Sequence, residues 1–153
     1  PGRLNVFKFK NFKVLIDFAH NAAGYEAIED YLKSIEATKK IGIISGVGDR
    51  RDEDIKECGK IAGRMFDHII IRNEKHLRGR TEEEINALVI DGIHSSGQEV
   101  TYEIIPKEIE ALKHAINKAE DGSYITALSD VVTNAIELVQ EYQTKELQEE
   151  MEK

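Results

Sequence analysis

Short runs of apolar, mostly β-branched residues alternate along this chain with stretches in which apolar residues return every three or four positions. The runs are Val14 to Phe18, Lys40 to Ser45, His68 to Arg72, Val100 to Ile105 and Ser123 to Ser129, and each reads as a short buried strand. Helical faces follow them: Ile28, Tyr31, Leu32 and Ile35; Ile55, Cys58, Ala62, Met65 and Phe66; Ile85, Leu88, Val89 and Ile93; Ile109, Leu112 and Ile116; Val131, Val132, Ala135, Ile136 and Val139. Thr81 with Glu84 predicts a capping box, Pro106 suits a first helical position, and Asp52 and Asp130 stand where N-caps belong. Alternation of this kind predicts a mostly parallel sheet joined by right-handed crossovers. Asn5 to Lys10 is also extended in pattern, and the short Asn11-Phe12 link predicts an antiparallel hairpin at one edge. The expected fold is α/β: a Rossmann-like, six-stranded mixed sheet, five strands parallel and one antiparallel edge strand, with helices on both faces.

The length of 153 residues fits one domain. The polar segment from Gln140 to Lys153 predicts a solvated helix extension that frays. No apolar run approaches the ~18 residues of a membrane helix, so a membrane span is not expected. With 21 Lys plus Arg against 29 Asp plus Glu, the net charge of -8 argues against a broad hold on nucleic acid. A single cysteine, Cys58, excludes an internal disulfide and points to a reducing, cytoplasmic setting. The sequence starts at Pro1 without Met or a leader pattern, and the expectation is a piece excised from a longer protein.

In open α/β sheets ligands bind beyond the carboxyl ends of the strands. The segments to inspect are therefore Asp17 to Gly24, Gly46 to Asp52, Arg72 to Arg80, and Asp130. Arg50, Arg51, Arg72, Arg78 and Arg80 all fall in these loops, which predicts a cationic rim on an acidic protein, suited to phosphate or carboxylate. Within that expectation, Arg72 at a strand end has a second option, pairing with a nearby acid. In the first loop Asp17 can accept from ribose hydroxyls, while His20 and Asn21 can donate to phosphate or base beside a helix N-terminus. Spacing fits equally well a loop in which Asp17 or Asn21 caps the helix and His20 is a hydrogen-bonded loop residue.

Other chemistries find little support. The loop Gly46-Val47-Gly48-Asp49-Arg50-Arg51-Asp52 lacks the third glycine of the dinucleotide fingerprint, and no Gly-x-x-x-x-Gly-Lys-Ser/Thr run occurs. ATP phosphates would need another domain. Cys58 lies on an apolar helix face, as packing rather than a nucleophile. His68, His94 and His114 lack metal-ligand spacing, so no metal site and no catalytic residue is assigned. A stand-alone nucleotide- or anion-binding module of flavodoxin-like topology remains an alternative. A receiver-like signalling domain does not fit, because the third parallel run ends in Arg72 where a phosphorylatable Asp is needed.

Pro1-Gly2-Arg3, Asp17-Phe18-Ala19-His20-Asn21 and Gly48-Asp49-Arg50-Arg51-Asp52 occur in the order and approximate spacing found in the C-terminal domain of Mur-type peptide ligases, and the chain resembles that family over nearly its whole length. Ala23-Gly24-Tyr25-Glu26-Ala27 and Leu77-Arg78-Gly79-Arg80 make the resemblance greatest to its cyanophycin-synthetase branch. The resemblance implies an ATP-dependent ligase forming amide bonds. Its preceding central ATPase domain would carry the phosphate loop and hold Mg, and the C-terminal domain would close over ATP and position an amino-acid or peptide substrate. It implies nucleotide contacts from Arg3, Asp17, His20 and Asn21. Substrate contacts are implied from Gly48, Asp49, Arg50, Arg51, Asp52, Arg72, Arg78 and Arg80. In the cyanophycin-synthetase branch the amine of arginine joins an aspartate side-chain carboxylate through an acyl phosphate; a Mur or folylpolyglutamate ligase is the neighbouring alternative. A homo-oligomer is expected of the full-length enzyme, and an isolated fragment should be inactive. The family usually has Pro after the His-Asn pair, where this chain has Ala22, losing a fixed φ while keeping the polar contacts.

Overall fold

The computed structural model describes residues 4–47, 50–74, 77–129 and 131–152. Its elements run β1 (Asn5–Lys8), β2 (Lys13–Asp17), α1 (Ala22–Lys33), β3 (Lys39–Ile44), α2 (Asp52–Met65), β4 (His68–Ile71), α3 (Glu82–His94), β5 (Thr101–Ile104), α4 (Glu108–Asn117), β6 (Ser123–Leu128) and α5 (Val132–Met151). The strands form one six-stranded sheet in the order β1-β2-β6-β3-β4-β5. Only the β1–β2 pair is antiparallel. The expected fold class and its antiparallel edge are thus present.

Strand period and helix face meet as the sequence pattern requires. In β2, Leu15 faces the cluster built with Tyr25, Ile28 and Leu32 of α1, whereas Val14 and Ile16 face the cluster built with α4 and α5. β4 divides in the same way, Ile69 and Ile71 on one side and Ile70 on the other. Side chains alternate across a strand, and burial on both faces removes any polar alternation from the central runs. α1, α2 and α3 cover one face; α4 and α5 cover the other.

α2 and α3 cross at unusually short range. A Cβ on Gly59 would collide with the Val89 carbonyl, and one on Gly92 with the Lys56 carbonyl. Only glycine at both positions lets the two backbones touch.

Several local expectations are corrected. α2 begins at Asp52 itself, with Arg51 at the N-cap and no side-chain cap bond; Asp52 instead adds charge to a first turn that also holds Glu53 and Asp54, favourable at the helix's positive end. Pro106 lies before α4, whose N-cap is Lys107, and its carbonyl accepts from the Asn73 amide at 2.8 Å. Val131 precedes α5 and is exposed rather than part of its buried face. The expected Asp130 cap lies outside the described residues. The end of α5 is tied down: Gln143 donates to the Lys8 carbonyl at 2.9 Å, and the Lys10 amide and ammonium reach Glu146 and Glu150 at 2.7 and 3.0 Å. The Thr81 cap is as expected, its hydroxyl accepting from the Glu84 amide at 3.1 Å.

Candidate functional site

β6, which feeds α5 on one face, lies between β2 and β3, which feed α1 and α2 on the other. Connections that leave adjacent strands in opposite directions open a crevice at the carboxyl edge. Two cavities lie along that edge, and His20 and Asn21 border both. One, of about 270 Å³, runs from these residues to Ser45, Gly46 and Val47 after β3 and to Arg50, Asp54, Ile55 and Cys58 on and before α2. The other, of about 480 Å³, is bounded by Leu4, Asp17, Phe18, Ala19 and the first turns of α1.

The β2–α1 loop is held from below. Asp17 is 6% exposed, and its carboxylate accepts from the Leu4 amide at 2.7 Å and the Ala19 amide at 3.0 Å. It therefore fixes the loop's shape with both oxygens. Asn21 is the N-cap of α1, Oδ1 accepting from the Gly24 amide at 2.8 Å; its side-chain NH₂ still has protons to donate. His20 is exposed, its ring tilted against Phe18 with centroids 5.1 Å apart. Nδ1 lies 3.2 Å from the Phe18 carbonyl. A carbonyl only accepts, so this bond puts a proton on Nδ1 and leaves Nε2 to accept in the neutral ring or to donate in the imidazolium.

The arginines do not form one cluster. Arg80 and Arg50 lie together: Arg80 Nη2 donates to the Arg50 carbonyl at 2.9 Å, and Nη1 pairs with Asp52 at 2.7 Å. Arg51 is exposed and turned along its own helix, 3.3 Å from Asp54 and 3.9 Å from Glu53. Arg78 is exposed in a left-handed conformation, φ 54°, and among the described residues makes no hydrogen bond or ion pair. Arg72 is 3% exposed and turned inward, paired with Glu108 at 3.3 Å, so it is no surface ligand. Acids neutralise much of the expected cationic rim. Arg3, Gly48 and Asp49 lie outside the described residues.

The sequence reading missed Ser45, Val47, Asp54 and the cavity-facing position of Cys58. A signal was available: Arg50, Asp54 and Cys58 recur every four residues, the spacing of one helical face. Cys58 is half-buried beside this cavity. Burial first, then the charges of Asp54 and Glu57, push its thiol up to about 11, against a smaller opposite effect of Arg50. His68 and His114 are also less isolated than their spacing suggests, approaching the two oxygens of Glu103 at 2.7 and 3.2 Å.

Residues 2–132 match the family described as Mur ligase, glutamate ligase domain, and the chain belongs to that family. Cyanophycin synthetase of Crocosphaera subtropica is 40% identical over 139 residues, covering 91% of this chain and 16% of the relative. Cyanophycin synthetase of Geminocystis herdmanii is 40% identical over 142 residues, covering 93% and 16%. The chain thus spans about one sixth of the length of these two relatives. Among solved structures, E. coli FolC in complex with ADP superposes with a TM-score of 0.71 at 17% identity, over 94% of this chain and 32% of that one, a likeness of fold.

Proposed function

We propose that this chain is the C-terminal domain of an ATP-dependent amide-bond ligase, closing over ATP and positioning an amino-acid substrate, in cyanophycin synthesis. The observation that carries this reading is the His20–Asn21 loop, which stands between two cavities at the sheet's crevice in a chain 40% identical to cyanophycin synthetases. The ADP in the FolC relative supports nucleotide use in this fold.

In this reading ATP supplies the phosphoryl group that converts a carboxylate to an acyl phosphate. The amine then attacks the acyl carbon, the C–N bond forms, phosphate leaves with the C–O electron pair, and the amine gives up a proton. The chain's own part is geometric. His20 and Asn21 face the nucleotide, and Asp17 keeps their loop in shape; the nucleotide contact that the resemblance implies for Arg3 falls outside the described residues. Arg50, Arg51, Asp52, Arg78 and Arg80 line the approach of the carboxylate-bearing substrate; the substrate contacts that the resemblance implies for Gly48 and Asp49 fall outside the described residues. Among the described residues no group of three His, Cys, Asp or Glu can hold a metal ion, and the reading gives magnesium to the preceding central ATPase domain. Closure would bring reactants together and keep water from the acyl phosphate, and positioning of this kind contributes about 7–11 kcal/mol. The reading also assigns a cytoplasmic, homo-oligomeric enzyme; an unpaired thiol such as Cys58 suits a reducing compartment.

The test uses the complete ligase with ATP, arginine and an aspartate-bearing peptide acceptor. Phosphate release together with a mass gain of one amide-linked arginine is expected. Ligation of glutamate or a diamino acid instead would move the chain to a Mur or folylpolyglutamate ligase, and ATP binding without any amide product would make it a nucleotide-binding module.

A further inference from the structure

The carboxyl edge opens where β3 and β6 part. Their parallel register ends at Ile43 beside Ala127, while β6 stays paired with β2 one residue further, Leu128 beside Asp17. Successive residues of a strand turn their main-chain groups to alternate neighbours. The Ser129 amide donates to the Asp17 carbonyl at 2.9 Å, so the Leu128 carbonyl faces β3 at a level where that ladder has ended.

Arg72 provides the donor there. β3 lies between β4 and β6, so the side chain, leaving the end of β4, crosses the end of β3, where Nη2 donates to the Leu128 carbonyl at 2.8 Å. Nε lies 3.3 Å from Glu108 in the first turn of α4. Nε and Glu108 are thus at ion-pair distance without a directed hydrogen bond between them, so the guanidinium's fixed geometry is set by the bond to Leu128.

From this geometry we infer that Arg72 is a positioning residue: across the opening between β3 and β6 it holds the Leu128–Ser129 strand end against Asp17, and through Asp17 it sets the loop carrying His20 and Asn21. The last link is the Asp17 carboxylate, which accepts from the Ala19 amide at 3.0 Å, next to His20. The inference rests on the ligase reading, which makes that loop a nucleotide contact.

Two variants of the complete ligase test it. Arg72→Lys keeps a cation beside Glu108 but loses the rigid planar donor that reaches the Leu128 carbonyl. Arg72→Met with Glu108→Met removes both charges, so that no buried carboxylate is stranded. Both are expected to fold, to raise the KM for ATP about ten- to hundredfold, as small misplacements of binding groups do, and to speed hydrogen exchange severalfold in the peptide 17–24 while β4 and α4 stay protected. A folded variant with wild-type KM and wild-type exchange in 17–24 overturns the inference. So does exchange that rises equally throughout the domain, or failure of both variants to fold, since either makes Arg72 a residue of global stability. A wild-type enzyme without ATP-dependent ligation sinks the ligase reading instead, and the exchange of peptide 17–24 still decides the role of Arg72.

Discussion

Arg80 reaches back from the loop after β4 to donate to the main-chain carbonyl of Arg50 at 2.9 Å, bracing the loop that follows β3. Its second contact, with Asp52 at 2.7 Å, involves a carboxylate that is 59% exposed. Such a pair stabilises by no more than about 1 kcal/mol. Arg80→Ala should therefore leave Tm almost unchanged and loosen residues 50–52, read as faster hydrogen exchange there. A large fall in Tm with unchanged local exchange would assign Arg80 to the core instead.

His20→Ala should impair ATP-dependent ligation without unfolding the domain, because the ring is exposed and tilted against the exposed Phe18. Loss of one hydrogen bond to a charged ligand costs about 1.5–3 kcal/mol, or roughly 10- to 150-fold in kcat/KM. Wild-type kinetics combined with a lower Tm would leave His20 only its structural role.

The 153-residue chain alone should bind ATP weakly, in the millimolar range at about 4 kcal/mol, and hydrolyse none of it. It has no phosphate loop of the Gly-x-x-x-x-Gly-Lys-Ser/Thr type. Sustained phosphate release from the purified chain would contradict the division of labour between domains.

Gly92→Ala should destabilise more than a typical helical Gly→Ala change, which ordinarily gains helix propensity. The added methyl meets the Lys56 carbonyl across the α2–α3 crossing. Overpacking of this kind costs about 1–3 kcal/mol, and Tm should fall by several degrees in a thermal melt. An unchanged or higher Tm would show that the helices can separate at little cost.

Acid should weaken two ties. The hydrogen bond and charge of Arg64 hold Glu29 below the usual carboxylate range despite partial burial, and His68 and His114 do the same for Glu103 against a desolvation that opposes them. A carboxyl whose folded pKa is depressed contributes stability that is fully present above its unfolded value, near 4.5, and lost as pH falls through the folded pKa. Unfolding by denaturant between pH 6 and 3 should therefore show a steeper loss for the wild type than for Glu29→Gln. Parallel curves would mean that the Arg64–Glu29 bridge, 2.8 Å long, contributes no net stability.

The succession of strands and helices, the parallel sheet with its antiparallel edge and the Thr81 cap are legible in the chain's pattern, because periodicity and capping are properties of neighbouring residues and of which face is buried. The same pattern also placed Asp17, His20 and Asn21 at the junction of β2 and α1. Only the tertiary structure decided what their side chains do there: Asp17 spends its carboxylate on the Leu4 and Ala19 amides, and Asn21 caps α1. The arginines show the limit most plainly. Their positions in the loops were legible, but a guanidinium on a long side chain goes where its partners are. Those partners are Asp52 and the Arg50 carbonyl for Arg80, and Glu108 and the Leu128 carbonyl for Arg72. The Arg72 partners come from segments distant in sequence: Glu108 from α4, and the Leu128 carbonyl brought within bonding distance only when β6 is inserted between β2 and β3, an insertion that no local pattern encodes.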